Sequence, residues 1–236
     1  MGVLRAVTFD FWNTIAWVPS GAMTEARRRA VAAACAEGEV EVEPKLLAAA
    51  LEEVGQHWER SWGEGVHLHP REGGAMLARA LGAEDAAGEL VVEAFLGAGR
   101  EVELEPAPDI GAALEALSAR GLRIGIVCDV GFSGGALLRE LLDGEGLLEH
   151  FDGWAFSDET DHYKPSPQAF GAALASLGTR PAEAMHVGDL RRTDIAGAAA
   201  LGMRTARYRG MHDDPGPGPE ADHVLDSHLE LVELTA

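Results

Sequence analysis

The sequence predicts an α/β protein, a parallel-sheet core with an inserted set of α-helices, and three observations carry that reading. Residues 3 to 10 alternate little and stay apolar up to Asp10, as a strand buried on both faces of a parallel sheet does. In the second half, similar runs alternate with helical segments, the pattern of βα units. Between about 22 and 103 the strand signal disappears and helix follows helix, so the insertion falls after the first strand. The core is expected over 1–17 and 104–236, and the helical domain over 18–103.

Within the insertion the helices read as Ala22 to Glu37, Glu43 to Trp62, Pro70 to Leu81 and Glu84 to Val102, separated by glycine, proline or acidic breaks. Leu47, Leu51, Val54, Trp58 and Trp62 recur at helical spacing, which assigns the indoles to the interior of this domain or to its seam with the core. After Pro106 and Pro108 a helix to Arg120 precedes the strand Arg123 to Cys128. The glycine turn Gly131 to Gly135 opens a helix through Leu142, and Phe151 to Phe156 supplies a short strand. Pro165 stands where helices begin, and that helix reaches about Leu177. The strand Ala182 to Val187, the helix Asp194 to Leu201 and the strand Thr205 to Tyr208 follow. The Pro/Gly tract Asp213 to Glu220 reads as a surface connection without function, before a last strand at His223 to Leu225 and a terminal helix.

At 236 residues, 47% of them apolar, the chain can fill such a core and an insertion besides. A net charge of −20 repels nucleic acid and anionic membrane surfaces, so an anionic small molecule must be drawn in by local positive potential. Cys35 and Cys128 are too few for a disulfide framework or a four-cysteine zinc site, which fits a reducing cytoplasm. No segment reads as a signal sequence or a membrane span.

The chemistry-bearing residues stand at strand ends. Asp10 closes the first strand, Cys128-Asp129 the second, Lys164 precedes Pro165, and Gly188-Asp189-Leu190-Arg191-Arg192-Thr193-Asp194 follows a later strand. Carboxyl ends of strands are where open α/β sheets hold ligands, and three acids with one lysine suit metal-assisted chemistry on an anion. In this order, with Thr14 after Asp10, the motifs resemble those of the haloacid dehalogenase superfamily, aspartate-nucleophile hydrolases that are mostly magnesium phosphatases. The resemblance covers nearly the whole chain and places a helical cap between the first two motifs.

It implies a Rossmann-like core, a mobile cap and an aspartyl-enzyme intermediate on a small phosphorylated substrate. Asp10 is the implied nucleophile, and Mg²⁺ is held by Asp10, Asp189 and the backbone carbonyl of Trp12, with Asp194 orienting Lys164 or a metal water. Lys164 adds a positive charge to the phosphoryl oxygens, while Thr14, Cys128 and Asp129 line the phosphate site. Three positions depart from the family pattern. Trp12 stands where an aspartate protonates the leaving alkoxide, Cys128 where a hydroxyl is usual, and Asp129 where asparagine is frequent, so Asp129 becomes a candidate replacement acid. A reactive thiolate at Cys128 is disfavoured by its acidic neighbours. Asn13 replaces a glycine, tolerable because asparagine accepts positive φ. Arg191 or Arg192 could answer the charge of Asp129.

In the cap, His57, Arg60, His67, His69 and Arg71 form a basic cluster in an acidic protein and read as a substrate-facing loop, with His57 and Arg60 the main substrate-binding candidates. Two other functions are compatible with these residues. An aromatic residue two positions after the nucleophile also occurs in dehalogenases of this superfamily, which need neither metal nor proton donor. A catalytically reduced member that only binds a phosphorylated ligand would carry the same departures.

Overall fold

The computed structural model describes residues 3–235. It divides into two compact units. The first contains the described residues through Trp17, then Leu104–Asp129 and the chain from Leu142 onward; the second contains Val18–Glu103 and Val130–Leu141. The segment Val130–Leu141, which the sequence places with the sheet, thus clusters with the helices.

The first unit is built on a six-stranded sheet. Its strands are β1 (Ala6–Phe9), β4 (Arg123–Cys128), β5 (Gly153–Phe156), β6 (Ala184–Gly188), β7 (Arg204–Tyr208) and β8 (His223–Leu225), in the order β5-β4-β1-β6-β7-β8 and all parallel. A ribbon of β2 (Ala16–Trp17) and β3 (Glu105–Pro106) was not legible in the sequence, because two residues are too short to show a period. Every residue of β1 and β6 is buried, consistent with their apolar text. From β1 the chain builds outward through β4 and β5, then returns to the other side of β1 at β6, so the topological switch point lies at β1.

Helices α5 (Ile110–Ala119), α7 (Ser157–Thr160), α8 (Pro167–Ser176), α9 (Ala196–Ala200) and α10 (His228–Leu234) connect or flank these strands, and α6 (Gly135–Gly144), between β4 and β5 in the chain, has its residues through Leu141 in the second unit. The α8 boundary corrects the sequence reading. Pro165 follows a cis Lys164–Pro165 peptide in the turn before the helix, Ser166 caps through its side chain, and Pro167 takes the first helical position. The Ser166 hydroxyl oxygen accepts from the Gln168 amide at 3.2 Å, a capping role for which proline has no side-chain acceptor. The helix expected at Asp194 begins instead as a π-turn, Arg191–Ile195, before α9.

The second unit holds α1 (Ala22–Glu37), α2 (Pro44–Glu64), α3 (Pro70–Ala80) and α4 (Asp85–Gly97), the last continuing as a 3₁₀ turn, Ala98–Glu101, where Gly97 and Gly99 weaken the α-helix. Its interior gathers Val31, Leu47, Val54, Leu77, Val91, Phe95 and Phe132. Trp58, partly buried against this interior, tilts onto Phe132 and stacks on Trp62 at 5.6 Å between centroids. The basic-loop reading changes here for two residues. His69 is the N-cap of α3, paired with Glu72 in a capping box, and Arg71 is bonded to Glu89 and Glu93. Their polar groups are committed to the helices themselves. Among the described residues, no helix is long and apolar enough to cross a membrane.

Candidate active site

At the carboxyl edge of the sheet, β1, β6 and the π-turn deliver three aspartates to one point. Ligand oxygens of Asp10, Asp189 and Asp194 lie within 4.8 Å of one another, and all three residues are buried. The amide of Asp10 still donates to the Val187 carbonyl at 2.8 Å, so sheet pairing runs right up to the carboxylate. Immediately after it, Asn13 adopts φ 56°, the left-handed conformation that asparagine tolerates, and the turn closes through amides donated to the Phe11 carbonyl.

Lys164, 3% exposed, reaches into this group and donates to Asp10 Oδ1 at 2.5 Å and to Asp194 Oδ1 at 2.6 Å. Its position is fixed from behind, because its backbone amide donates to Asp129 Oδ1 at 3.0 Å. Asp129 therefore braces the loop that carries the lysine. Cys128 ends β4, is 1% exposed, and its thiol is pushed well above the ordinary range, by burial first and the charge of Asp10 second. It is a protonated thiol, and nucleophilic thiolate chemistry is closed to it. Thr14 is fully buried; its carbonyl accepts from His228 Nε2 at 2.8 Å, and its hydroxyl has no hydrogen-bond partner among the described residues.

The electrostatics sort the acids. Burial pushes Asp10 up to about 7; Lys164 opposes this and Asp194 adds to it. Asp189 is pushed to about 9, by burial and then by Asp10 and Asp194. Burial also acts to raise Asp194, but Lys164 and the hydrogen bond from His186 outweigh it, and it ends well below the carboxylate range. For Lys164, desolvation is overcome by Asp10 and Asp194, so the ammonium is retained. One lysine thus serves three buried acids, with the imidazole of His212 beside one of them, Asp189. That shortfall is what a divalent ion corrects, and hard oxygen donors suit Mg²⁺.

Two participating histidines were missed in the sequence. His186 in β6 is fully buried and held neutral by burial, with Nε2 at 3.2 Å from Asp194 Oδ1 and Nδ1 at 2.9 Å from Thr8 Oγ1. A neutral ring has one N–H, so Nε2 donates to the carboxylate and Nδ1 accepts the threonine hydroxyl. A polar residue inside an apolar strand, in register with Thr8, was the available signal. His212 places Nδ1 at 2.8 Å from Asp189 Oδ2 and sits in a loop that no sequence period announces.

The Pro/Gly tract is also more than a surface connection. The Arg191 amide donates to Asp214 Oδ2 at 2.8 Å, its guanidinium pairs with Glu220, and Arg207 grips Asp213 at 2.6 Å and Glu220 at 2.8 Å. Arg191 is therefore engaged by this loop rather than by Asp129. Trp12, whose ring packs edge-on to Phe11 at 4.8 Å, follows Asp10 in the same turn. His57 and Arg60 stand on α2 in the helical unit, Arg60 exposed and His57 half-buried.

Acids and a lysine gathered beyond the carboxyl ends of a parallel sheet suit cation-assisted chemistry on an anion. Residues 4–202 match the model of the haloacid dehalogenase-like hydrolases, and the chain belongs to that family. It is 33% identical over 241 residues to a glyceraldehyde 3-phosphate phosphatase of Methanopyrus kandleri, covering 98% of this chain and 97% of that one. It is also 33% identical to a phosphoglycolate phosphatase of Rhodospirillum rubrum, over 84% of this chain and 77% of the other. Among solved structures, a 2-haloacid dehalogenase from Pseudomonas syringae pv. tomato superposes with a TM-score of 0.73 at 24% identity, covering 98% of both chains. A HAD phosphatase from Thermococcus onnurineus superposes with a TM-score of 0.65 at 23% identity over 98% of this chain and 97% of that one. These two likenesses establish the shared fold.

Proposed function

We propose that this hydrolase is a Mg²⁺-dependent phosphatase of a small phosphorylated metabolite, with Asp10 as nucleophile, and that the helical unit around residues 18–103 is its cap. The observation that carries the reading is the charge imbalance among Asp10, Asp189, Asp194 and Lys164 inside one buried cluster. The phosphatase names of its full-length relatives support the same substrate class. Asp10 and Asp189 would hold the cation, with the Trp12 carbonyl, and Asp194 would stay with Lys164 and His186 as the group that orients them. Bound there, a divalent ion supplies charge relief for an anionic nucleophile meeting an anionic ester.

Asp10 attacks phosphorus, the ester P–O bond breaks, and the leaving oxygen departs with its electron pair. Water then attacks the acyl phosphate at phosphorus and frees Asp10. Lys164, kept positive by its two acids, opposes the protonation of Asp10 that burial favours and holds its carboxylate in line. At Trp12 the indole N–H cannot titrate, so leaving groups that need a proton lose a factor of about 10²–10⁴ unless Asp129 or another acid supplies it.

The test is hydrolysis of p-nitrophenyl phosphate against alkyl phosphates. Release of p-nitrophenol must require Mg²⁺ and vanish in Asp10→Asn; metal-independent release refutes the reading. Asp129→Asn keeps an acceptor for the Lys164 amide, so loss on alkyl phosphates alone in this variant marks an acid, whereas equal loss on both substrates only in Asp129→Ala marks a brace for Lys164. Carbon–halogen hydrolysis by Asp10 needs no cation, and uncompensated acids beside a carboxylate substrate oppose it. Halide release from 2-haloacids in chelator is therefore expected to be absent. Two free, buried cysteines support a reducing cytoplasm as its compartment.

A further inference from the structure

We propose that the helical unit carries a binding site for a small carboxylate, formed by Arg27 of α1 and Ser133. The three consecutive arginines of α1 differ in their partners. Arg28 is bonded to Glu25, and Arg29 pairs with Glu101 at 3.5 Å. Arg27 has no carboxylate within ion-pair distance among the described residues. Its guanidinium instead lies over the rings of Phe95 at 5.2 Å and Phe132 at 5.5 Å and donates through Nη2 to Ser133 Oγ at 3.2 Å. Its Nε is shut off from solvent with no hydrogen-bond partner among the described residues. Desolvation alone draws the group down to about 10.

A desolvated cation without a counter-ion is expensive unless an anion completes it. Ring faces and a hydroxyl do so only in part, and the enclosed Nε–H is left without an acceptor. Next to it the structure has room: a groove of 620 Å³, bounded by Arg27, Thr24, Leu51, Gln56, Phe95 and Phe132, runs between α1 and α2. Glu52 and Glu59 also border it. Those two acids select against a dianion, and the planar guanidinium matches a planar acceptor, so a monocarboxylate with a short organic tail fits better than phosphate. All of its residues lie in the helical unit, and it stands whether or not the chemistry proposed for Asp10 is correct.

Isothermal titration at fixed ionic strength tests it on the intact protein, with acetate and glycolate as carboxylates and inorganic phosphate and sulfate as tetrahedral anions. Asp10→Asn serves as a parallel sample in which the core's nucleophile is absent. Both proteins should bind the carboxylates saturably at millimolar concentration or below and more tightly than phosphate. Arg27→Gln should weaken binding by at least about tenfold, Arg27→Lys less, and Ser133→Ala by a few-fold, as expected for loss of a charge, a fork and one hydrogen bond. In NMR, the Arg27 Nε–H resonance should shift on carboxylate addition. Absence of saturable binding in the unaltered protein, equal affinity in Arg27→Gln, or preference for phosphate overturns the proposal. If Arg27→Gln melts early, Ser133→Ala and the Nε–H shift decide.

Discussion

Gly188 shows how close the polar cluster is packed. A Cβ built there would stand 2.4 Å from Asp194 Cγ, so the acid occupies the volume that any other residue would need. Gly188→Ala must push Asp194 off Lys164 and His186. We expect a loss of about 1–3 kcal/mol, typical of overpacking, in chemical denaturation, together with at least a tenfold fall in kcat. Full activity in this variant would show that Asp194 orients nothing. At the same scale lies the reason His186 escaped notice: its role depends on facing Asp194 across a turn and Thr8 across a strand pair, neither of which sequence spacing encodes.

At the scale of elements, two tethers hold the ends of strands in place. The α10 helix begins at His228, whose ring is buried, stacks on Tyr208 at 4.0 Å and donates to the Thr14 carbonyl. Burial lowers this histidine to about 4 from 6.5. The folded pKa lies below the unfolded one, so between these values the unfolded chain binds the proton and stability falls as pH is lowered. The difference amounts to about 3 kcal/mol once pH is below 4. His228→Gln, which retains a donor for Thr14, should flatten this part of the stability profile; an unchanged slope between pH 6.5 and 4 would assign acid lability elsewhere.

The second tether is the Asp213–Glu220 loop. Arg207, itself 3% exposed, holds both ends of that loop, and Asp214 holds the start of the π-turn. Its two acid partners are largely exposed, so solvent discounts the ion pairs. Arg207→Met should still cost about 1–2 kcal/mol through lost hydrogen bonds and weaken Mg²⁺ binding, measured by titration calorimetry, because His212 and the π-turn lose their support. Unaltered metal affinity would separate the loop from the site.

Across the whole molecule, an acidic chain with a net charge of −20 concentrates further negative charge in its buried cluster. In the absence of a cation, Asp10 and Asp189 have folded pKa values of about 7 and about 9, above their unfolded value of 3.8. The folded state then keeps protons that the unfolded state has released, so these two groups lower stability as pH rises from about 4 to about 9. A cation displaces those protons and removes the penalty. The rise in Tm on adding Mg²⁺ should therefore grow from pH 6 to pH 9 and shrink in Asp189→Asn. A pH-independent rise would place the ion away from these carboxylates.

Sequence by itself determined the sheet strands β1 and β4 to β8 to within a few residues, the four inserted helices, and Asp10 and Asp189 at strand ends, whereas Lys164 stands in the loop beyond β5 and Asp194 in the π-turn. Buried strands must be apolar, surface helices must be amphipathic, and both periods are local. Tertiary structure alone decided that Pro167 rather than Pro165 opens α8, that His69 caps its own helix while Arg71 pairs with two acids of α4, and that His186, His212 and the Pro/Gly loop support the cluster. Those outcomes depend on which polar groups compete for the same buried partner. That competition is settled by distances between segments far apart in the chain.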